Sequence, residues 1–89
     1  MYALFRTASF KKQYKKLSQN DKQLLKELVV LLASGEILDE KFRDHKLTGN
    51  FKELRECHIK PDLLLIYKIN DDILELALVQ IANHSSLFK

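Results

Sequence analysis

Apolar residues recur at helical spacing in two places. Phe10, Tyr14 and Leu17 stand three to four positions apart, which predicts a short helix with Ser9 as its N-cap. In "LLKELVVLLASG" (24–35), Leu24, Leu25, Leu28, Leu31 and Leu32 form a wide apolar stripe. It predicts a second helix, capped by Asn20 or Asp21, running through about Ala33 and stopped at Gly35. The short break "SQND" between them predicts an antiparallel helical hairpin. Elsewhere the pattern is that of strands. "MYALFRT" (1–7) alternates loosely and carries aromatics. "FKELRECHI", "DLLLIYKI" and "ILELALVQI" follow in the second half, separated by "KPD" and "NDD". Pro61 suits the second position of a tight turn. The middle segment is almost continuously apolar, so it is expected to be a central strand. Short turns predict an antiparallel meander of these three. "EILDEKFRDHKLTGN" (36–50) reads as a loop held to the core by Leu38, Phe42 and Leu47. The order β-α-α-β-β-β predicts an α+β fold, with an N-terminal strand, a two-helix hairpin and a three-stranded antiparallel meander. The helices are expected on one face of the sheet, leaving the other face or the open end for function.

Composition narrows this picture. Eighty-nine residues, 46% of them hydrophobic, suit a single packed domain over residues 1–89. No uncharged apolar run is long enough to span a bilayer, and the order of charges in "MYALFRTASFKK" is wrong for a signal peptide. The chain is therefore expected to be complete, cytoplasmic and independent of membranes. The single cysteine, Cys57, cannot form an internal disulfide and reads as a small strand residue.

The net charge of +3 matters less than its placement. Residues 1–16 carry Arg6, Lys11, Lys12, Lys15 and Lys16 and no acid. Lys11 with Lys15, and Lys12 with Lys16, stack like charge one helical turn apart, costing a few tenths of a kcal/mol per pair. Either the lysines form a solvated face, or an external polyanion or acidic protein offsets that cost.

The candidate chemistry lies in histidine. His45 falls in the loop before the second strand, His58 near its end, and Asp62 just after Pro61. A meander reverses direction at each turn, so the end of the last strand returns to the "HIKPD" turn and brings His84 towards His58 and Asp62. Imidazoles exchange protons near neutrality. Two of them across a phosphodiester suffice to cleave RNA, one taking the 2′-OH proton and the other protonating the 5′ oxygen. Lys46, Lys52, Arg55 and Lys60 are candidates to stabilise the phosphorane charge. Zinc is the runner-up, but no Cys-x-x-Cys or His-x-x-x-His spacing supports it, so no metal or cofactor is expected. The plain alternative is that each histidine is a turn or capping residue.

Two segments carry a resemblance. "DHKLTGNFKELRECHIKPDLLLIYKI" with a terminal "NHSSLF" resembles the YafQ branch of the RelE/ParE toxin superfamily of bacterial toxin–antitoxin modules. The shared pattern is D-H-x-L-x-G, R-[DE]-x-H-[ILV]-x-P-D, an apolar I-Y strand and H-[SA]-x-L-F, and because the β-α-α-β-β-β order is also the family's, the resemblance covers essentially the whole chain. The resemblance implies a ribosome-dependent endoribonuclease that cuts mRNA in the A site. It implies a cognate antitoxin as partner, with operator DNA contacted only through that complex. It implies catalytic roles for His45, His58 and Asp62 around the 2′-OH, and for His84 as general acid. Phe88 would hold or stack on mRNA, and Lys11, Lys12, Lys15 and Lys16 would meet ribosomal RNA phosphates. One departure is prominent. Many relatives carry arginine four residues before the last histidine, where this chain has Gln80. Gln80 supplies no fixed positive charge. That leaves a competing reading, a weak or inactive toxin-fold module that binds antitoxin and contributes to operon repression.

Overall fold

The computed structural model describes residues 1–47 and 53–83. Its elements are β1 (Ala3–Arg6), α1 (Ala8–Lys15), α2 (Gln19–Ala33), a 3-10 turn (Glu40–Phe42), β2 (His45–Lys46), β3 (Arg55–Lys60), β4 (Leu63–Asn70) and β5 (Glu75–Asn83). They form a mixed sheet in the order β1-β5-β4-β3-β2. β3, β4 and β5 make the expected antiparallel meander, and β1 joins the far edge parallel to β5.

Local chemistry sets the helix starts two or three residues earlier than the sequence suggests, while α2 ends at Ala33 and stops at Gly35 as expected. Thr7, not Ser9, caps α1, its Oγ1 accepting from the Phe10 N–H at 3.0 Å. The same hydroxyl donates to the Val79 carbonyl at 2.6 Å, a bond that Ser9 is not placed to make. Ser18, not Asn20 or Asp21, caps α2 through the Asp21 N–H. At the other end Gly35 adopts φ 81°, and the Glu36 and Gly35 N–H groups bond back to Leu31 and Leu32. That pairing is a Schellman stop, and glycine reaches its left-handed geometry without Cβ strain.

One face of the sheet carries the main core. Cys57, Ile59, Leu63, Leu65, Tyr67, Leu76, Leu78 and Ile81 pack with Phe10, Leu25, Leu28, Val29 and Leu32 of the helices. Tyr14, Leu17, Leu24, Leu38 and Phe42 border this cluster, as the sequence pattern predicts. The edge of β5 beyond β1 is closed by α1, where Gln13 Oε1 accepts from the Ile81 N–H at 2.7 Å. A helix side chain thus satisfies a backbone N–H at the sheet edge.

The loop 36–50 is more structured than its pattern implies. It contains the 3-10 turn and β2, whose two residues pair antiparallel with Glu56 and Arg55. Two residues cannot show alternation, so no sequence signal marks such a strand. β3 starts at Arg55 rather than 51, because Glu53 and Leu54 lead into it as turn and coil.

Candidate active site

Side chains alternate across a strand, so the neighbours of the core residues face the second side of the sheet. On β3 these are Glu56 and His58, and on β4 Leu64 and Ile66. The ladder sets them in two rows. His45 pairs with Glu56, Glu56 with Ile66, and Ile66 with Gln80. His58 pairs with Leu64, and Leu64 with Ala82. His45 and His58 are therefore diagonal neighbours on one face, a relation that sets Cα atoms roughly 7–8 Å apart. A phosphate group fits between side chains at that separation. Leu64, Ile66 and Ala82 form an apolar floor, all buried yet outside the helix-side cluster.

Each described histidine is oriented by a backbone carbonyl. His45 Nδ1 lies 2.6 Å from the Arg43 oxygen, and His58 Nδ1 lies 3.3 Å from the Pro61 oxygen. A carbonyl only accepts, so Nδ1 carries the hydrogen in both rings. Nε2 is then the nitrogen free to exchange a proton. His45 Nε2 faces Glu56 Oε1 at 3.3 Å, with the His45 side chain 51% exposed and that of Glu56 only 6%. Glu56 Oε2 is buried without a hydrogen-bond partner among the described residues. A buried, half-paired carboxylate is costly and is commonly kept for a task. Sequence reasoning passed over Glu56. The available signal was period-two spacing, which places an acid two residues before His58 on the same face.

Asp62 lies exposed in the two-residue turn between β3 and β4, set by the Lys60–Leu63 pairing. Asn83, the last described residue of β5, pairs with Leu63 beside that turn. His84 follows it in sequence but, like Lys52 and Phe88, lies outside the described residues.

Of the proposed phosphate cations, the described ones, Lys46, Arg55 and Lys60, are not gathered with the histidines. Arg55 sits on the helix-side face, where Nη2 bonds Asp44 Oδ2 at 3.0 Å and Nε reaches Asp44 Oδ1 and the Tyr67 hydroxyl at 3.3 Å each. Tyr67 also donates to Asp44 Oδ1. The bond to Asp44 raises the Arg55 pKa. Burial, then the bond to Asp44, pushes the Tyr67 hydroxyl well above its ordinary value, so it stays a donor. Lys60 pairs with Asp21 at 3.0 Å. Lys46 stands beside Arg55 across the β2–β3 pair, away from His45. Cys57 is fully buried and its thiol is pushed up by that burial, which suits a packing residue.

The helix lysines Lys11, Lys12, Lys15 and Lys16 are all exposed. Lys11 and Lys15 border a groove between β1, α1 and α2 with Arg6 and Lys26. Its floor includes Leu4, Val29 and Val30, and among the described residues no acid lines it. No helix among the described residues is long and apolar enough to cross a membrane.

A five-stranded sheet backed by two helices, with two histidines and a buried acid on its second face, defines a small α+β protein with a candidate acid–base site. The family described as "Bacterial toxin of type II toxin-antitoxin system, YafQ" matches residues 2–89, and the chain belongs to it. The mRNA interferase toxin YafQ of Escherichia coli K12 is 36% identical over 69 residues, 76% of this chain and 73% of that one. A copper-bound mutant toxin from Helicobacter pylori superposes with TM-score 0.88 at 43% identity, covering 99% of this chain and 100% of the other. YafQ in the E. coli DinJ-YafQ complex superposes with TM-score 0.80 at 28% identity, covering 100% of both chains.

Proposed function

We propose that the chain is the toxin of a type II toxin–antitoxin pair, acting in the cytoplasm as a ribosome-dependent endoribonuclease that cuts mRNA in the A site. The observation that carries this reading is the shared face of His45 and His58, each with Nδ1 engaged by a backbone carbonyl, with His45 Nε2 set against the Glu56 carboxylate and His58 Nε2 turned to proton exchange. Relatives named mRNA interferase toxins support the reaction class. In this reading the His45–Glu56 pair takes the proton from the 2′-OH. The alkoxide attacks the adjacent phosphorus, and the 5′ oxygen leaves with a proton from His84. His58 and Asp62 orient the phosphate and share the proton traffic. Phe88 stacks on a base. Lys52 is the candidate cation for the phosphate in this reading, whereas Lys46 faces away from His45 and Arg55 and Lys60 are committed to Asp44 and Asp21. The test is primer extension on mRNA in translating ribosomes, where purified protein should give discrete cuts at A-site codons.

The second reading, a weak or inactive module, is favoured by one observation. Gln80 ends the row that begins at His45, two strands from Glu56, and brings no charge to it. Gln80→Arg should therefore raise the cleavage rate by about tenfold or more, since one donor aimed at developing charge is worth roughly 10²–10³ in rate. An unchanged rate would mean that the phosphorane is already neutralised by other groups. A silent wild type woken by this substitution would establish the second reading.

The antitoxin contact belongs to the groove between β1, α1 and α2. An apolar floor with a basic rim fits an acidic amphipathic segment of a partner protein, and a similar chain is found in the E. coli DinJ-YafQ complex. Occupying it would cover Lys11 and Lys15, and so would hold the toxin away from ribosomal RNA phosphates. Val30, 56% exposed on this groove, supplies the check. Val30→Asp should weaken antitoxin binding by about tenfold or more in titration calorimetry, placing an unpaired acid against an acidic partner. Equal affinity would move the contact elsewhere.

A further inference from the structure

The D-H, R-[DE] and I-Y pairs of the motif put one member of each pair on either face of the sheet. His45, Glu56 and Ile66 lie in one row on the second face. Their chain neighbours Asp44, Arg55 and Tyr67 meet on the helix side, where the Asp44 carboxylate accepts from Arg55 Nε, Arg55 Nη2 and the Tyr67 hydroxyl. Tyr67 is 1% exposed and directly paired with Arg55 in the ladder, so this clasp is built on the rigid centre of the sheet.

What it clasps is otherwise weakly held. β2 is two residues long and sits at the sheet edge. The segment before it has only the 3-10 turn for regular structure, and Arg43 adopts left-handed φ 49° to leave that turn. The Arg43 carbonyl then receives the His45 ring nitrogen. Phe42 and Leu38 pack beneath the segment, but apolar contacts do not fix a ring's rotation or its hydrogen. Three charge-assisted or buried bonds at Asp44 do fix the peptide that carries both Arg43 O and His45.

We propose that Asp44, Arg55 and Tyr67 form a latch that positions His45, holding its Nδ1–H on the Arg43 carbonyl and its Nε2 towards Glu56. They are positioning residues, since none reaches the reacting face. The proposal rests on the nuclease reading only for its catalytic consequence. The placement of His45 stands apart from it.

The experiment is long-range nitrogen–proton NMR of the histidine rings in the full chain, beside single-turnover mRNA cleavage on ribosomes. The variants are Tyr67→Phe, which removes one donor and keeps the buried ring, and Asp44→Asn, which removes the charge. Wild-type His45 should show a hydrogen fixed on Nδ1. In the variants it should average between tautomers while His58 is unchanged, and cleavage should fall about 10–100-fold at unchanged substrate affinity. Unchanged His45 signals in a folded Tyr67→Phe chain would overturn the latch, whether or not Asp44→Asn folds. Disturbed His45 signals with unaltered cleavage would keep the latch and remove His45 from catalysis, which separates the two claims.

Discussion

His58→Ala and His84→Ala are each expected to lower single-turnover cleavage on the ribosome by about 10²–10⁴-fold, the usual worth of one positioned acid or base. His58 stands at the β3 end of its row, with Leu64 directly opposite and its Nδ1 on the Pro61 carbonyl. Removing the ring leaves that carbonyl at an exposed turn where water replaces the bond, so the fold and antitoxin affinity should be preserved. The double variant should lose little beyond the worse single one, because groups that act on one transition state are far from additive. Full activity in a folded His58→Ala chain would make His58 a turn residue. Losses that simply multiply would mean that the two histidines serve separate steps.

The parts of this arrangement that were legible in the sequence are those with several repeats of one period. The stripe on α2 and the apolar runs of β4 and β5 are long enough for local pattern to outweigh noise, and their turns are short enough to dictate antiparallel pairing. That logic also carried the return of β5 to the turn of Asp62, seen in the Leu63–Asn83 pair. The parallel docking of β1 on β5 was illegible because it joins residues more than seventy positions apart, with nothing local to mark it. The choice of Thr7 over Ser9 as cap depends on the Val79 carbonyl, which is equally remote in sequence. Arg55 and Glu56 show the sharpest limit. They are adjacent and oppositely charged, and a shift of one residue exchanges their faces. Chemistry alone nominated Arg55 for the phosphate. Parity sends it to Asp44 and gives the histidine face to Glu56 instead.

Glu56 leads to the second large effect, one in which stability and activity move in opposite directions. Its residue exposure is 4%, one carboxylate oxygen meets a half-exposed histidine, and the other has no hydrogen-bond partner among the described residues. Leaving a buried polar atom unpaired costs about 1–3 kcal/mol. Glu56→Leu removes that cost and adds an apolar contact to Ile66, its partner in the ladder. The chain should gain about 1–3 kcal/mol, because an apolar side chain of similar volume commonly outdoes an imperfectly paired buried charge. For a domain of this size each kcal/mol raises Tm by roughly 4–8 °C, so calorimetry will resolve the change. Cleavage should fall by roughly 10²-fold, since His45 loses the only carboxylate on its Nε2 side among the described residues. Glu56→Gln separates the two effects. It keeps the shape but not the charge, and should recover less of the stability while losing most of the cleavage. A lower Tm with intact cleavage in Glu56→Leu would make the acid a structural partner of His45. A higher Tm with lost cleavage would mark it as a residue kept at the expense of the fold, the pattern expected where an active site departs from the packing rules that govern the rest of the sheet.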